Sequence, residues 1–291
     1  MFFGLIENLT HREDVDLSYL ARSNDFKFKR AFSSLGCGQN ELPEVIVIAQ
    51  RHEIPCIELR TLGGMVDLPG YFAARHTVPE KLADLMDSTS VRIMSLGTSL
   101  RLIGNTAEHR EAFLRYVPWA EACGALTLRV FDGGSSGSAD EIESARSTLR
   151  WWQELRADNG WKVDIAIETH DAFAVEENLL RFLDGDMKCQ VLWDAHHTWR
   201  KGGADPVRTW AILRDKVRHI HVKDSVASAQ EPAGYAYVLP GEGEFPMSAL
   251  LSALRADGYD GLMSLEWERH WHPELPQLDA ALSAARERSW W

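Results

Sequence analysis

Four side chains that can ligate a cation each sit where an apolar run ends: Glu168 in "IETHD", Asp194 in "WDAHH", His221 in "HIHVKD" and Glu266 in "SLEWE". The first three recur at near-equal intervals, 194 − 168 = 26 and 221 − 194 = 27 residues, and the fourth follows after 266 − 221 = 45. Three carboxylates and an imidazole converging in a buried place would repel one another and be costly to desolvate unless a divalent cation neutralised them. The set is rich in oxygen, with one nitrogen and no thiolate. That suits Mn2+, Mg2+, Co2+ or Fe2+ at expanded coordination more than structural Zn2+, although zinc also takes such ligands. The remaining coordination positions would accept water or the two oxygens of a hydroxy-carbonyl substrate, and the cation would polarise the carbonyl and acidify the neighbouring proton. Taken singly, Glu168 reads as a solvated strand-end charge and Asp194 as a helix N-cap. Four such residues on successive apolar runs read as a site.

Several neighbours could serve the same cavity. His197, three residues after Asp194, is placed either to contact substrate or to ligate a second metal, whereas His196 reads as structural. His170 stands two residues past Glu168 and is assigned to support that ligand. Lys223 shares the alternation of His221 and could bind a substrate oxygen, while Asp224 orients the loop that follows. His219, with one residue between it and His221, is expected on the opposite face of its strand, packed against a helix or behind a ligand. Glu58, Arg60, Arg101 and Arg129 offer charged groups for substrate hydroxyls, a carboxylate or a phosphate; the bland reading for Glu58 with Arg129 is an internal ion pair beneath the site. Trp193, Trp199, Trp267 and Trp271 flank the ligands, and an aromatic face can stack on a sugar ring, Trp267 being the one taken as a substrate contact. "PGEGEF" reads as a turn, because its glycines are too irregular for a phosphate loop.

The elements that must position these residues alternate with regularity. Strand patterns occur in "FKFKRAFSS", "IPCIELR", "SVRIMSLG", "ALTLRVF", "KVDIAIET", "CQVLWDA", "RHIHVKD" and "GLMSLEW". Helical patterns stand between them, among them "LPEVIVIAQRH", "VPEKLADLMD", "AEHREAFLRYVPWAEA" and "DEIESARSTLRWWQELRA". Eight strands alternating with eight helices predict an α/β fold, a (β/α)8 TIM barrel in a single domain, with chemistry at the C-terminal ends of the strands. A doubly wound sheet would share the alternation, but no GxGxxG turn follows the first strand. The barrel is placed over residues 26–291. Residues 1–25 are an N-terminal extension, for which a cap over the barrel's N-terminal end is one role. The stretch "SVASAQEPAGYAYVLPGEGEF" lengthens the loop after the seventh strand and reads as a functional insertion over the barrel mouth.

Composition narrows the partners. The chain has 291 residues, 45% hydrophobic and 25% charged, with a formal net charge of −12, which disfavours a surface built to neutralise nucleic acid and favours a small molecule. Cys37, Cys56, Cys123 and Cys189 form no CxxC pair, so neither a disulfide framework nor a cysteine zinc site is signalled, and a reducing cytoplasm is the default location. No leader-like or 18-residue apolar run is found, so a soluble protein without membrane attachment is expected.

Together, "IELR", "LGTSLRL", "LRVF", "IETHD", "WDAHH", "HIHVKD", "LPGEGEFP" and "SLEWE" resemble the xylose-isomerase-like TIM barrels, the sugar phosphate isomerase/epimerase superfamily, from about Phe28 to the C-terminus. The resemblance implies that Glu168, Asp194, His221 and Glu266 are the ligands of one divalent ion. It further implies that His197 is the substrate-contacting or second-metal histidine, and that Glu168 and Glu266 form an acid/base pair on the two faces of the substrate. The function then expected is a metal-dependent sugar, sugar phosphate or keto-polyol isomerase or epimerase, abstracting a proton α to a carbonyl. The same ligands would serve a lyase or dehydratase acting on a keto-sugar or keto-inositol. An AP-endonuclease-like DNA repair enzyme fits poorly, since the early strands lack the extra histidines and the charge is acidic. A non-catalytic sugar-binding barrel is disfavoured because all four ligand positions are filled. The partner is thus a carbohydrate or polyol, and a homo-oligomer is compatible with the family.

Overall fold

A computed structural model describes residues 26–184 and 188–291, so the N-terminal extension and its suggested capping role lie outside the described residues. Ten strands are present among the described residues. Eight of them, β1 (Lys29–Ser33), β2 (Cys56–Leu59), β3 (Arg92–Ile103), β4 (Thr127–Gly133), β5 (Asp164–Glu168), β6 (Gln190–Asp194), β7 (Val217–Val222) and β10 (Leu262–Leu265), close into a barrel in the order β1-β10-β7-β6-β5-β4-β3-β2. Every pairing within it is parallel. Each barrel strand overlaps one of the eight apolar runs read from the sequence; β3 runs on past its run to Ile103, β4 to Gly133, and β7 begins one residue before its run, at Val217.

Because helices cover the outside and side chains fill the inside, these strands are buried on both faces and read as continuous apolar runs. Outward-facing Phe32, Ile57, Leu96, Val130, Ile167, Val191, Trp193, Ile220, Val222 and Leu265 pack in the main hydrophobic core with residues of the surrounding helices. Helix Leu42–Arg51 shows how local signals set such an element. Glu41 and Glu44 form a reciprocal capping box, Pro43 opens the first turn, and Leu42, Val45, Ile46, Ile48 and Ala49 make the buried face. The stretch "AEHREAFLRYVPWAEA", read as one helix, is two, Ala107–Leu114 and Val117–Cys123; Pro118, lacking an N–H, starts the second.

Inside the barrel the layers differ in character. Ala31, Cys56, Leu262 and Met94 form a small apolar plug near the strand starts. Towards the strand ends, buried polar groups take over: Ser95, Thr127, Glu58, His219 and Ser264, then Glu168, Asp194, His221 and Glu266. The long loop after β7 carries an antiparallel hairpin, β8 (Asp224–Ala227) with β9 (Tyr235–Val238). All four cysteines are free, and among the described residues no helix is long and apolar enough to cross a membrane.

Candidate active site

The parallel strands all point their C-terminal ends at one mouth, so Glu168 closing β5, Asp194 closing β6, His221 late in β7 and Glu266 just after β10 arrive at one level. Their ligand atoms lie within 4.8 Å of one another, and all four residues are buried. His221 Nδ1 is 3.3 Å from both Glu168 Oε1 and Glu266 Oε1. Its other nitrogen, Nε2, stands 2.8 Å from Glu58 Oε2. That contact turns Nδ1 towards the carboxylates, an orientation that suits a metal-ligating histidine once Nδ1 has given up its proton to the ion.

The cluster is held by cations of its own chain. Arg129 Nε is 3.2 Å from Glu168 Oε2, and its Nη1 donates to Thr98 O at 3.0 Å. Lys223 Nζ contacts Asp194 Oδ2 at 2.8 Å and Glu268 Oε1 at 2.7 Å, and also pairs with Glu266 Oε2. Burial and Glu266 push the Glu168 carboxyl up, but Arg129 and His221 outweigh them and hold it at about 2. Asp194 behaves oppositely: burial, aided by Glu266 and Glu168, prevails over Lys223 and raises it to about 6. Burial alone would strip the proton from His221, yet Glu266 and Glu58 raise it well above the usual imidazole range.

A divalent cation fits these residues. Glu168 Oε2, Asp194 Oδ2 and His221 Nδ1 are buried and have charged neighbours at 2.8–3.3 Å but make no well-formed hydrogen bond, which is unusual for buried polar atoms and leaves them able to turn to a ligand. Glu168, Asp194, His221 and Glu266 would hold the ion, and Glu58 would orient His221 from behind.

Other residues singled out in the sequence fall into place or do not. His197 is buried beside the cluster, with its backbone N–H donated to Asp194 Oδ1 at 2.7 Å and Nδ1 3.0 Å from Asp194 Oδ2; the N-cap role of Asp194 and its site position therefore coexist. His196 donates to or accepts from Ser225 Oγ at 2.7 Å within an aromatic cage of Trp199, Tyr235, Tyr237 and Phe245. His170 pairs with Asp171 at 2.9 Å, packs against Phe131 and sets its ring edge-on to His197; among the described residues it makes no hydrogen bond or ion pair with Glu168. Asp224 accepts from the backbone of Ser225, Gly241, Gly243 and Phe245, tying the hairpin base to "PGEGEF".

Three expectations are corrected. His219 is not on the opposite face from His221: a strand alternates with period two, so the two residues share the inner face, and His219 lies one layer deeper, 2.7 Å from Ser264 Oγ and 3.2 Å from Glu58 Oε2. Glu58 does not pair with Arg129; Glu58 goes to the two histidines and Arg129 to Glu168. Trp267 presents no face to a substrate, being wholly buried among outer core residues with its indole N–H donated to Pro276 O at 2.8 Å. Trp193 is likewise core, Trp271 is half exposed, and Arg101 is exposed.

Sequence reasoning passed over Glu268, Tyr237 and Asp132. Glu268 binds Lys223 and accepts from Tyr237 OH at 2.8 Å; its signal was the alternation of "LEWER", two residues past Glu266. Tyr237 comes from the hairpin, and only the tertiary fold brings it to the mouth. Asp132, at the end of β4, accepts backbone N–H groups of Gly133, Asp171 and Phe173 and so fixes the turn after Glu168.

This chain belongs to the xylose isomerase-like TIM barrel family, whose model matches residues 47–289. An inosose dehydratase of Lacticaseibacillus casei is 26% identical over 222 residues, 66% of this chain and 74% of that protein. Among solved structures, a probable 3-DHS dehydratase of petrobactin synthesis from Bacillus anthracis, AsbF, superposes with a TM-score of 0.71 at 20% identity, over 90% of this chain and 100% of that one. The IOLI protein with a binding zinc atom does so with 0.72 at 18%, over 90% and 96%.

Proposed function

We propose that this protein is a divalent-metal-dependent lyase that removes water from a polyhydroxy ketone of the keto-sugar or keto-inositol type. The observation that carries this reading is the Lys223 ammonium, buried against Asp194 and Glu266 at the edge of the four-ligand cluster, where a departing hydroxyl would need a proton. Similarity to an inosose dehydratase supports it. The isomerase or epimerase reading instead needs Glu168 and Glu266 as a free acid/base pair. Arg129 and His221 engage the first and Lys223 and His221 the second, which suits both to service as anionic ligands.

When bound, the cation would supply a Lewis acid for the ketone oxygen. The chain's own groups handle the protons. Burial, and then the Lys223 charge, holds His197 well below the usual imidazole range, so it is neutral, with Nδ1 beside Asp194 and Nε2 free to act as base. His197 takes the proton from the carbon next to the carbonyl. The electron pair of that C–H bond forms the C=C bond, the β C–O bond breaks, and Lys223 delivers a proton to the leaving hydroxyl, releasing water. Glu268 closes the cycle: its Oε1 lies 4.0 Å from His197 Nε2 and 2.7 Å from Lys223 Nζ, a path by which the abstracted proton returns to the lysine. Three carboxylate partners keep Lys223 protonated, which suits an acid and not a Schiff-base nucleophile.

The test is to incubate Mn2+- or Zn2+-loaded protein with a panel of keto-inositols, ketoses and cyclic hydroxy ketones in D2O and follow products by NMR. Metal-dependent loss of water from one substrate class is the result expected. Deuterium exchange with an inverted or isomerised product, and no loss of water, would overturn the lyase in favour of an isomerase or epimerase.

A further inference from the structure

Arg60 follows β2 at the mouth side, two residues beyond Glu58, so alternation turns it inward like Glu58, whose carboxylate meets His221 inside the barrel. Only 7% of Arg60 is exposed. Its guanidinium donates from Nη2 to Ser99 Oγ at 3.2 Å, while Nη1 is buried with no partner at all. Among the described residues no carboxylate comes within ion-pair distance of it. Its near neighbour is a second cation: a Cβ placed on Gly97 would stand 2.8 Å from Arg60 Cδ and 3.0 Å from Arg129 Nη2, so the absence of a side chain at Gly97 lets two arginines lie side by side. Arg129 is ion-paired with Glu168; Arg60 has no ion pair, and burial and the Arg129 charge outweigh the more distant Glu168 and Glu266 and lower its guanidinium to about 10.

A buried guanidinium with an unpartnered nitrogen and no ion pair is costly and persists where a ligand supplies the missing contact. We infer that Arg60, beside Arg129, is the anion-binding end of the substrate site, and that the hydroxy ketone taken by this protein carries a carboxylate. One positive charge without an ion pair matches a carboxylate monoanion better than a phosphate dianion, and the planar fork of arginine binds a carboxylate with two parallel hydrogen bonds. The inference rests on the hydroxy-ketone reading for the other end of the molecule, which the metal cluster would hold.

The test is a binding measurement that needs no turnover. Catechol and 3,4-dihydroxybenzoate each offer two vicinal oxygens to a metal and differ by one carboxylate. Calorimetric titration of the Mn2+-loaded protein should give at least about tenfold tighter binding of the carboxylate compound, as charge-assisted bidentate contacts provide. In Arg60→Gln that preference should vanish while catechol affinity stays, and Arg60→Lys should keep part of it. Retained catechol affinity also shows that the variant is folded. If Arg60→Gln does not fold, Arg60→Lys decides: a preference undiminished in that variant would overturn the assignment. Equal affinities in the wild type, or a preference that survives Arg60→Gln, would overturn the assignment. Because no product is measured, loss of the lyase reading would leave this result standing, and its failure would leave the lyase reading untouched.

Discussion

Between β5 and β10 the barrel mouth carries carboxylates around a histidine; between β2 and β4 it carries two guanidinium groups around a glycine. In the first half every carboxylate has a cation of the chain beside it, Arg129, His221 or Lys223, and still three buried ligand atoms lack a hydrogen bond. In the second half Arg60 has no carboxylate partner and leaves one buried nitrogen unsatisfied. Both halves are therefore electrostatically incomplete, with opposite signs. The difference fits the proposed reading, in which a cation finishes one side of the site and an anion the other.

The comparison is broken most severely at Lys223, among the described residues the only ammonium in contact with Asp194, Glu266 and Glu268. Lys223→Met should lower turnover by roughly 10²–10⁴, the usual range for a lost general acid. Without metal it should also cost about 3–5 kcal/mol, because buried carboxylates lose their partner. Turnover at wild-type level in stopped assays would remove Lys223 from the chemistry. Glu58→Gln should act on one half only, weakening metal affinity by about 10- to 100-fold as outer partners of metal-bound histidines do. Metal titration reads this, and a carboxylate-ligand preference that fell in parallel would show the halves are not separate. Asp224→Ala frees the loop of the hairpin base and should destabilise by about 1–3 kcal/mol in urea unfolding, since buried amides lose their acceptor. Gly243→Ala should reproduce that loss, since its Cβ would fall 2.1 Å from Asp224 Oδ1.

The smallest effect concerns pH. Burial pushes the Asp132 carboxyl from 3.8 up to about 7, against the pull of the Phe173 and Asp171 amides. The folded chain thus binds this proton more tightly than the unfolded one. The associated stability is fully present below about pH 4 and is lost as pH rises through about 7. Asp132→Asn should flatten the fall in stability between those values relative to the wild type. Parallel curves for the two proteins would contradict it.

The clustering of the carboxylate half was legible in the sequence because each of these residues ends an apolar run and the barrel repeats its unit, so spacing alone put Glu168, Asp194 and His221 on successive strands. Glu266 came with them despite the hairpin that lengthens its interval. What could not be read was pairing across the barrel. Glu58 meets His221 across 163 residues of chain, and nothing in "IELR" says that its partner is a histidine and not Arg129. Trp267 looked available because it adjoins a ligand, yet adjacency in a strand means the opposite face, and that face is core. The same period of two governs His219, which shares the inner face with His221. Arg60 was visible only as a charge near a strand end; its isolation from any carboxylate is a property of the packed mouth.

The most direct test of the central claim, that a divalent cation completes the carboxylate half, is to titrate Mn2+ into metal-stripped protein and count bound ions by electron paramagnetic resonance. The arrangement predicts one tightly held ion per chain in the wild type, and its loss in His221→Ala with the barrel still folded by circular dichroism. A wild type that binds no ion, or a His221→Ala protein that binds as tightly as before, would contradict it.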